Sequence, residues 1–303
     1  MRNATIRQLQ IFVVAASHLS FARAAETLHL THAAISLQIK QLEEVSGIPL
    51  FERIGKRVFL TEAGEILLDR ARQILQLLKE TDEALLALKG LQGGRIAVAV
   101  VSTAEYFAPG LLAEFRRRQP DVVISLRIDN RMTVNRLLAG NEVDLAIMGR
   151  PPAELDATAT AFAPHPLVIV AGTDHPLRTA QNIAVEELAG ETLIVRETGS
   201  GTRSAMEQFF NDHSVRPHIG MEMSSNEAIK QAVVAGLGIT FISQHTLGLE
   251  LSNQRLHILK VEGTPVMRRW HLVRHRSKHL TPALAAFWAF LLEYAPDYLK
   301  KLS

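Results

Sequence analysis

The 303-residue sequence predicts an α/β chain in three parts: a helical head with a small β-wing, one long linker helix, and a larger doubly wound domain. Three observations carry that prediction. Residues 20–45, SFARAAETLHLTHAAISLQIKQLEEV, place two short helices around a tight turn. From Thr61 to about Lys89 the pattern is a single helix without proline. From Arg95 onward, apolar strands alternate with helices, the pattern of a sheet covered by helices.

In the head, the first helix (Phe21–Leu28) carries Ala22, Ala24 and Ala25, small enough for close helix packing, and Ser20 stands where an N-cap hydroxyl belongs. The second, from about His32, sets Ile35, Ile39 and Leu42 on one face and His32, Ala33, Ser36, Leu37 and Lys40 on the other. A buried face backed by short polar and methyl groups suits a helix lying in a DNA major groove. A plain helical hairpin would fit this segment too. The residues after it decide between the two. Beyond Ser46-Gly47, two short apolar runs, Pro49–Phe51 and Val58–Leu60, flank Arg53, Gly55, Lys56 and Arg57. That spells a β-wing with a cationic tip, suited to phosphates or a narrow minor groove.

The linker helix fits a seven-residue frame, with Gly64, Ala71, Leu78 and Leu85 at one seam position and Leu67, Ile74, Thr81 and Leu88 at the other. Such a seam predicts a two-stranded dimerisation interface, although Leu68, Leu75, Leu77 and Leu86 offer further packing surfaces. Gly93-Gly94 then breaks the helix.

Beyond it, strands are expected at Arg95–Val101, Val122–Ile128, Val143–Met148, Leu167–Ala171, Thr192–Arg196, Gly238–Ile242 and Arg269–Arg274. Helices run to Arg118, from near Met132, over about Thr202–His213 and Asn226–Ala235, and from the Thr281-Pro282 cap onward. Repeated βα units imply a mostly parallel sheet with ligands beyond the carboxyl ends of its strands. Three strand-to-helix junctions there are rich in hydroxyls and glycine. They are Ser102-Thr103, the run Glu197-Thr198-Gly199-Ser200-Gly201-Thr202-Arg203, and Ser224-Ser225-Asn226. Free N–H groups at helix starts favour anions, and Arg203 adds a full charge. Any one junction could be an ordinary cap; together they point to a carboxylate or phosphate ligand, with Arg150, Asn130 and Arg131 as lesser candidates.

Composition narrows the classes. The net charge is only +2, so the chain is no polybasic nucleic-acid binder. Through residue 60, Arg and Lys outnumber Asp and Glu by three, a modest excess suited to a dimer that pairs two heads. With no cysteine, thiol catalysis, disulfides and Cys-zinc sites are excluded. No secretion signal or membrane span is evident, which predicts a cytoplasmic protein. No nucleophile–base pairing or metal spacing appears, so no catalytic residue, cofactor or metal is expected. His271, His275 and His279 are spaced by four, but strand geometry would spread them apart. His165-Pro166 reads as the start of a strand and Asp174-His175-Pro176 as a surface turn.

Leu9 and Phe12, Ser20–Leu28 (S-F-x-x-A-A-x-x-L), the helix ending Q-L-E-E, Leu50–Arg53 (L-F-x-R) and Leu60–Gly64 (L-T-x-A-G) together resemble the winged helix-turn-helix of the LysR-type transcriptional regulators. Length and layout resemble that family throughout. The resemblance implies a head at 1–61, a linker/dimerisation helix at 62–92 and a periplasmic-binding-protein-like effector domain at 93–303. Within that domain, subdomain I (93–163 and 268–303) and subdomain II (164–267) would clasp the effector. It further implies double-stranded promoter DNA with an inverted repeat, a small-molecule effector and RNA polymerase as partners, and a homodimer assembling to a homotetramer. By the same resemblance DNA contacts fall on Ser20, Thr31, His32, Ala33, Ser36, Leu37, Lys40, Arg53, Lys56 and Arg57. Many members have Gln-Pro where this chain has His32-Ala33, and a long basic side chain where Leu37 stands.

VSTAEYFAP (Val101–Pro109), NEVDLAIMGRPP (Asn141–Pro152), GSGTR (Gly199–Arg203) and SSNEAIKQAVVAGLGI (Ser224–Ile239) are similar to the CbbR regulators of Calvin-cycle operons. That branch implies phosphorylated metabolites or NADPH as effectors. Glu105 departs from it, standing where relatives carry Lys, and an acid facing the ligand would weaken an anion pocket. Regulators of sulfur or aromatic metabolism share some of these segments. A solute-binding receptor would share the second half but lack the first sixty residues.

Overall fold

The computed structural model describes residues 3–55, 57–88 and 93–302. The chain divides into two compact units, 1–90 and 91–303. Among the described residues no helix is long and apolar enough to cross a membrane.

In the first unit, α1 (Ile6–His18) opens on a reciprocal cap between Thr5 and Gln8. Helix α2 (Phe21–Leu28) is capped by Ser20 and ends at His29, which takes the left-handed conformation at φ 53. Helix α3 (His32–Ser46) is capped by Thr31, whose hydroxyl accepts from the Ala34 amide at 3.2 Å, and is stopped by Gly47 at φ 77, where a Cβ would be strained. Phe12, Ala24, Ile35, Ile39 and Leu42 from the three helices form one core. Strands β1 (Phe51–Ile54) and β2 (Arg57–Leu60) form the wing, with Arg53 opposite Val58 and Ile54 opposite Arg57. Arg53 and Arg57 therefore belong to the strands, not to the tip expected of them. Gly55, at φ 64, makes the turn, and Lys56 lies outside the described residues.

Helix α4 (Glu62–Leu88) starts on Thr61, whose hydroxyl accepts from the Gly64 amide at 3.1 Å. Leu67 and Ala71 are buried in the core of the head, and a Cβ on Gly64 would strike the Leu50 carbonyl. The first turns of the expected dimer seam are thus filled by packing within the head itself. Exposed apolar side chains on this helix include Ile74, Leu77, Leu78 and Leu85. The side chains of Leu86 and Leu88 lie outside the described residues.

The second unit runs β3 (Gly94–Val101), α5 (Ala108–Arg118), β4 (Val122–Asp129), α6 (Arg131–Ala139), β5 (Leu145–Met148), β6 (Ala157–Gly172), β7 (Thr192–Arg196), α7 (Gly201–Asp212), β8 (His218–Met223), α8 (Asn226–Val234), β9 (Thr240–Ser243), α9 (Gly248–Ser252), β10 (Leu256–Ile258), β11 (Val266–His275) and α10 (Pro282–Lys300). A seven-stranded sheet has the order β10-β6-β11-β5-β3-β4, with β9 also on β6; β7 and β8 pair separately. One set of buried side chains runs from Ile96 to Ala163 and from Trp270 to Leu299. Two further clusters lie between Leu167 and Val261. Strands β6 and β11 pass from the first lobe to the others.

The sheet is less parallel than the βα alternation implies. The pairs β3–β4, β3–β5 and β7–β8 are parallel, but β6 and β11 run antiparallel to each other, and β11 runs antiparallel to β5. Hydrophobic period reports a strand, not its direction. His165, expected at the start of a strand, sits well inside the sixteen-residue β6.

Candidate functional site

The head presents one exposed face from α3. His32, Ala33, Leu37 and Lys40 are exposed and Ser36 is half-buried, while Ile35, Ile39 and Leu42 anchor the opposite side. Leu37 is 54% exposed, an apolar side chain with little protein around it. Lys40 pairs loosely with Glu44 at 3.9 Å, which leaves its charge available in solvent. The Arg53 guanidinium lies over the Phe21 ring, 5.7 Å from its centroid, and the His32 ring is 6.2 Å from the same ring. That contact sets Arg53 beside the start of α3. The Ser20 and Thr31 hydroxyls accept their cap bonds, which leaves each O–H free to donate to a phosphate. Arg57 is exposed on β2.

One residue here escaped the sequence reading. The Glu43 Oε1 accepts from the Leu50 amide at 2.8 Å and the Phe51 amide at 3.2 Å, tying α3 to the wing. The signal was present in the Q-L-E-E run, but no spacing rule assigns its partner.

In the second unit the carboxyl ends of β3, β5 and β7 converge on a cavity open to solvent, with ≈ 600 Å³ not filled by atoms. Ser102, Thr103, Arg131, Arg150, Ser200, Gly201 and Thr202 line it, together with Arg196, Arg268, His165, Leu167 and Trp270. Four arginines thus line one space. Arg196 is 3% exposed and fully engaged: it holds Glu197 at 2.8 Å, the Asn226 Oδ1 at 2.6 Å and the Ser102 Oγ at 3.0 Å. Arg131 donates to the Arg150 carbonyl at 3.1 Å. Among the described residues, none of Arg131, Arg150 and Arg268 pairs with a carboxylate. Partial burial, then the charge of Arg131, pull the Arg268 pKa below its ordinary value. An anion entering the cavity would relieve that repulsion.

The helix starts differ in a way that matters. Asn130 caps α6 and Ser225 caps α8 with their own side chains, whereas Ser200 makes no side-chain cap on α7. The first amides of α7 are left for a ligand, and a Cβ at Gly201 would make only ordinary contact with Arg131, at 3.5 Å. Arg203, by contrast, is committed elsewhere. Its guanidinium bonds Glu207 at 2.6 Å, the Arg196 carbonyl at 3.2 Å and Glu222 at 3.4 Å. Thr198 and Gly199 are exposed and line no part of this cavity. Asn130, Ser225 and Asn226 line a second, neighbouring cavity.

Glu105 lines that second cavity and not the arginine-lined one, so it does not weaken the latter by facing into it. Burial raises the Glu105 pKa, and Arg196 partly opposes the shift.

Four lining groups, Arg196, Arg268, His165 and Trp270, carry no ligand-site signal in the sequence. The His165 ring stacks on Trp270 at 3.8 Å and 15°, and its Nε2 meets the Ser243 Oγ at 3.0 Å. The Trp270 Nε1 donates to the His245 Nδ1 at 3.3 Å. Burial holds both imidazoles neutral, His165 down at about 3 and His245 at about 4. Among the described residues, no group of three or more His, Asp or Glu is arranged to hold a metal ion. Of the spaced histidines, His271 and His275 lie on β11 and His279 beyond it.

Comparison with known proteins places both units. Residues 6–65 match the family described as bacterial regulatory helix-turn-helix protein, lysR family, and residues 89–296 match the LysR substrate binding domain. The HTH-type transcriptional regulator CbbR of Rhodospirillum rubrum is 49% identical over 286 residues, covering 94% of this chain and 95% of that protein. The RuBisCO operon transcriptional regulator of Allochromatium vinosum is 47% identical over 291 residues, covering 96% of each. Among solved structures, the Synechocystis PCC6803 CcmR regulatory domain in complex with 2-PG is 39% identical with a TM-score of 0.65, covering 67% of this chain and 99% of that one.

Proposed function

The chain belongs to the LysR family of transcriptional regulators, and from that premise we propose that it controls Calvin-cycle (RuBisCO) genes in response to a phosphorylated metabolite held in the arginine-lined cavity. The family is non-enzymatic; its members bind promoter DNA and small-molecule effectors. In this reading α3 lies in the major groove of each half of an inverted repeat, with His32, Ala33, Ser36 and Leu37 at base edges. Arg53, Arg57, Lys40, Ser20 and Thr31 hold phosphates and fix register. The names of the Rhodospirillum and Allochromatium relatives support the target genes.

One observation carries the effector assignment: an uncapped helix start faces a cavity where, among the described residues, Arg131, Arg150 and Arg268 have no carboxylate partner. Uncompensated cations around one space repel each other when it is empty and are stabilised by a multiply charged anion. The Synechocystis relative solved with 2-PG agrees with a small anion. The cavity is walled by residues from both lobes, so subdomain I (93–163, 268–303) and subdomain II (164–267) close on the ligand. The exposed leucines late in α4 make the dimer, two dimers make a tetramer, and RNA polymerase is the downstream partner in the cytoplasm.

The test is calorimetric titration of the full chain with sugar phosphates, NADPH and small carboxylates. Replacing Arg268 or Arg131 by Met should weaken phosphate-bearing ligands by about tenfold to a hundredfold, the worth of one charge-assisted hydrogen bond. Unchanged affinity in both variants would place the ligand elsewhere.

A further inference from the structure

One short stretch of the first lobe, 102–107, meets the second lobe at three places. The Ser102 Oγ accepts from Arg196 Nη2 at 3.0 Å, the Tyr106 ring lies over Lys230 with its centroid 4.7 Å from Nζ, and the Phe107 ring meets the His245 ring edge-on at 5.9 Å. Ser102 and Thr103 line the arginine-lined cavity, whereas Tyr106 lines neither that cavity nor its neighbour. Across from this stretch, α8 is tied to two of the three contacts. Asn226 Oδ1 holds Arg196 at 2.6 Å, and Lys230 follows one turn later on the same face of the helix.

The chemistry of these contacts separates them from ordinary core packing. Lys230 is 2% exposed, and its Nζ meets Glu250 Oε1 at 2.8 Å, Glu227 Oε2 at 2.9 Å and the Thr246 carbonyl at 3.1 Å. An ammonium has three donors, so all of them are engaged within the second lobe. The Tyr106 ring satisfies no donor and adds only the attraction of a π face for a cation that is already paired. Lifting that ring away strands no buried polar group, unlike the loss of a hydrogen bond in a core. The Ser102 bond behaves likewise, because Arg196 keeps Glu197 and Asn226 without it. Both contacts can therefore be made and broken while each lobe stays intact.

We propose that Tyr106 is a latch between the lobes: seated on Lys230 it holds the cleft closed, and a ligand bound at Ser102 and Thr103 fixes that seat. Tyr106 is thus a positioning residue, which strengthens binding without touching the ligand. Coupling of this kind is reciprocal, so the ligand favours the seated ring as much as the seated ring favours the ligand. The ligand half of the inference rests on the anion assignment above; the latch itself does not.

The test combines amine acetylation of the full chain, read residue by residue by mass spectrometry, with calorimetry using ribose 5-phosphate. Tyr106→Met covers Lys230 with apolar atoms but has no π face, and Tyr106→Phe keeps the ring. In the ligand-free chain Tyr106→Met should speed acetylation of Lys230 by about twofold to thirtyfold, the worth of one cation–π contact, and should weaken ribose 5-phosphate by a similar factor. Tyr106→Phe should stay close to the unsubstituted chain in both readouts. Lys278, 4% exposed and paired with Asp144 in the first lobe, should be acetylated equally slowly in all three proteins, which shows that they are folded. An unchanged Lys230 rate in Tyr106→Met overturns the latch, as does a rise that Lys278 shares. A faster Lys230 with undiminished ribose 5-phosphate affinity also overturns it, since the ring then only covers the lysine, and leaves the anion assignment standing. If the unsubstituted chain does not bind ribose 5-phosphate, the anion assignment fails, and the ligand-free acetylation rates alone decide the latch.

Discussion

Acidification should unfold the second unit through two buried histidines, and the size of the effect can be worked out. His165 and His245 are 7% and 5% exposed, packed around Trp270, and neutral in the fold with pKa values of about 3 and about 4. In the unfolded chain each would titrate near ~6.5. Their folded values are depressed, so the unfolded state binds more protons throughout that interval. Their contribution to stability is complete above ~6.5 and is lost as pH falls toward the folded values. Between about pH 7 and about pH 5.5 each histidine gives up about 1.3 kcal/mol, so the pair gives up about 2.5 kcal/mol. This figure depends little on the folded values, because both lie well below the interval. Both tryptophans of the chain, Trp270 and Trp288, lie in the second unit. Denaturant titrations followed by tryptophan fluorescence therefore report that unit alone. His165→Phe keeps an aromatic ring on Trp270 but removes one titrating group, so its loss between the two pH values should be smaller than that of the unsubstituted chain by about 1.3 kcal/mol. An identical pH dependence in the two proteins would refute the account of His165 as a buried neutral imidazole.

Three further outcomes are set by the geometry. Glu43→Ala removes the acceptor for two amides at the root of the wing and should cost about 2–3 kcal/mol in urea unfolding of the head, with Glu43→Gln costing roughly half; a change near zero would mean that the wing is held some other way. Lys278 is 4% exposed and pairs with Asp144 at 2.6 Å, so Lys278→Met strands a buried carboxylate and should destabilise the second unit by about 3–5 kcal/mol, measured by the same fluorescence titration. His32→Ala or Ser36→Ala should lower discrimination between operator and random duplex by about 1–3 kcal/mol in gel shifts, whereas Arg53→Ala should weaken both duplexes alike. Equal losses on the two duplexes for the α3 variants would reverse those roles.

Local chemistry was the most legible part of this molecule. Caps at Ser20 and Thr281, the stop at Gly47 and the strand Thr192–Arg196 follow from side-chain hydroxyls, a glycine's freedom and an apolar run. The first half of β6, Ala157–Ala163, was hidden because its alternating Ala and Thr are too small and weakly apolar to announce a buried strand. Strand β8 was hidden because His218–Gly220 and Met221–Glu222 are exposed and show no clean alternation. The polar core of the site was illegible for another reason. Arg196, His165 and Trp270 matter through partners 94, 78 and 25 residues away in sequence, and periodicity carries no such information. Arg196 did leave a trace, as the charge that closes the buried run Leu193–Val195. Arg203 shows the converse, a conspicuous cation in a glycine-rich loop that Glu207 and Glu222 engage.

If the arginine-lined cavity is the switch, its occupancy changes how the head reads DNA. Footprinting of the duplex upstream of RuBisCO genes, with and without a sugar phosphate, measures this directly for the unsubstituted chain and for Arg268→Met. The protection pattern should shift with the metabolite in the first protein and stay fixed in the second. A pattern indifferent to every phosphorylated metabolite, or one that shifts equally in both proteins, would contradict it.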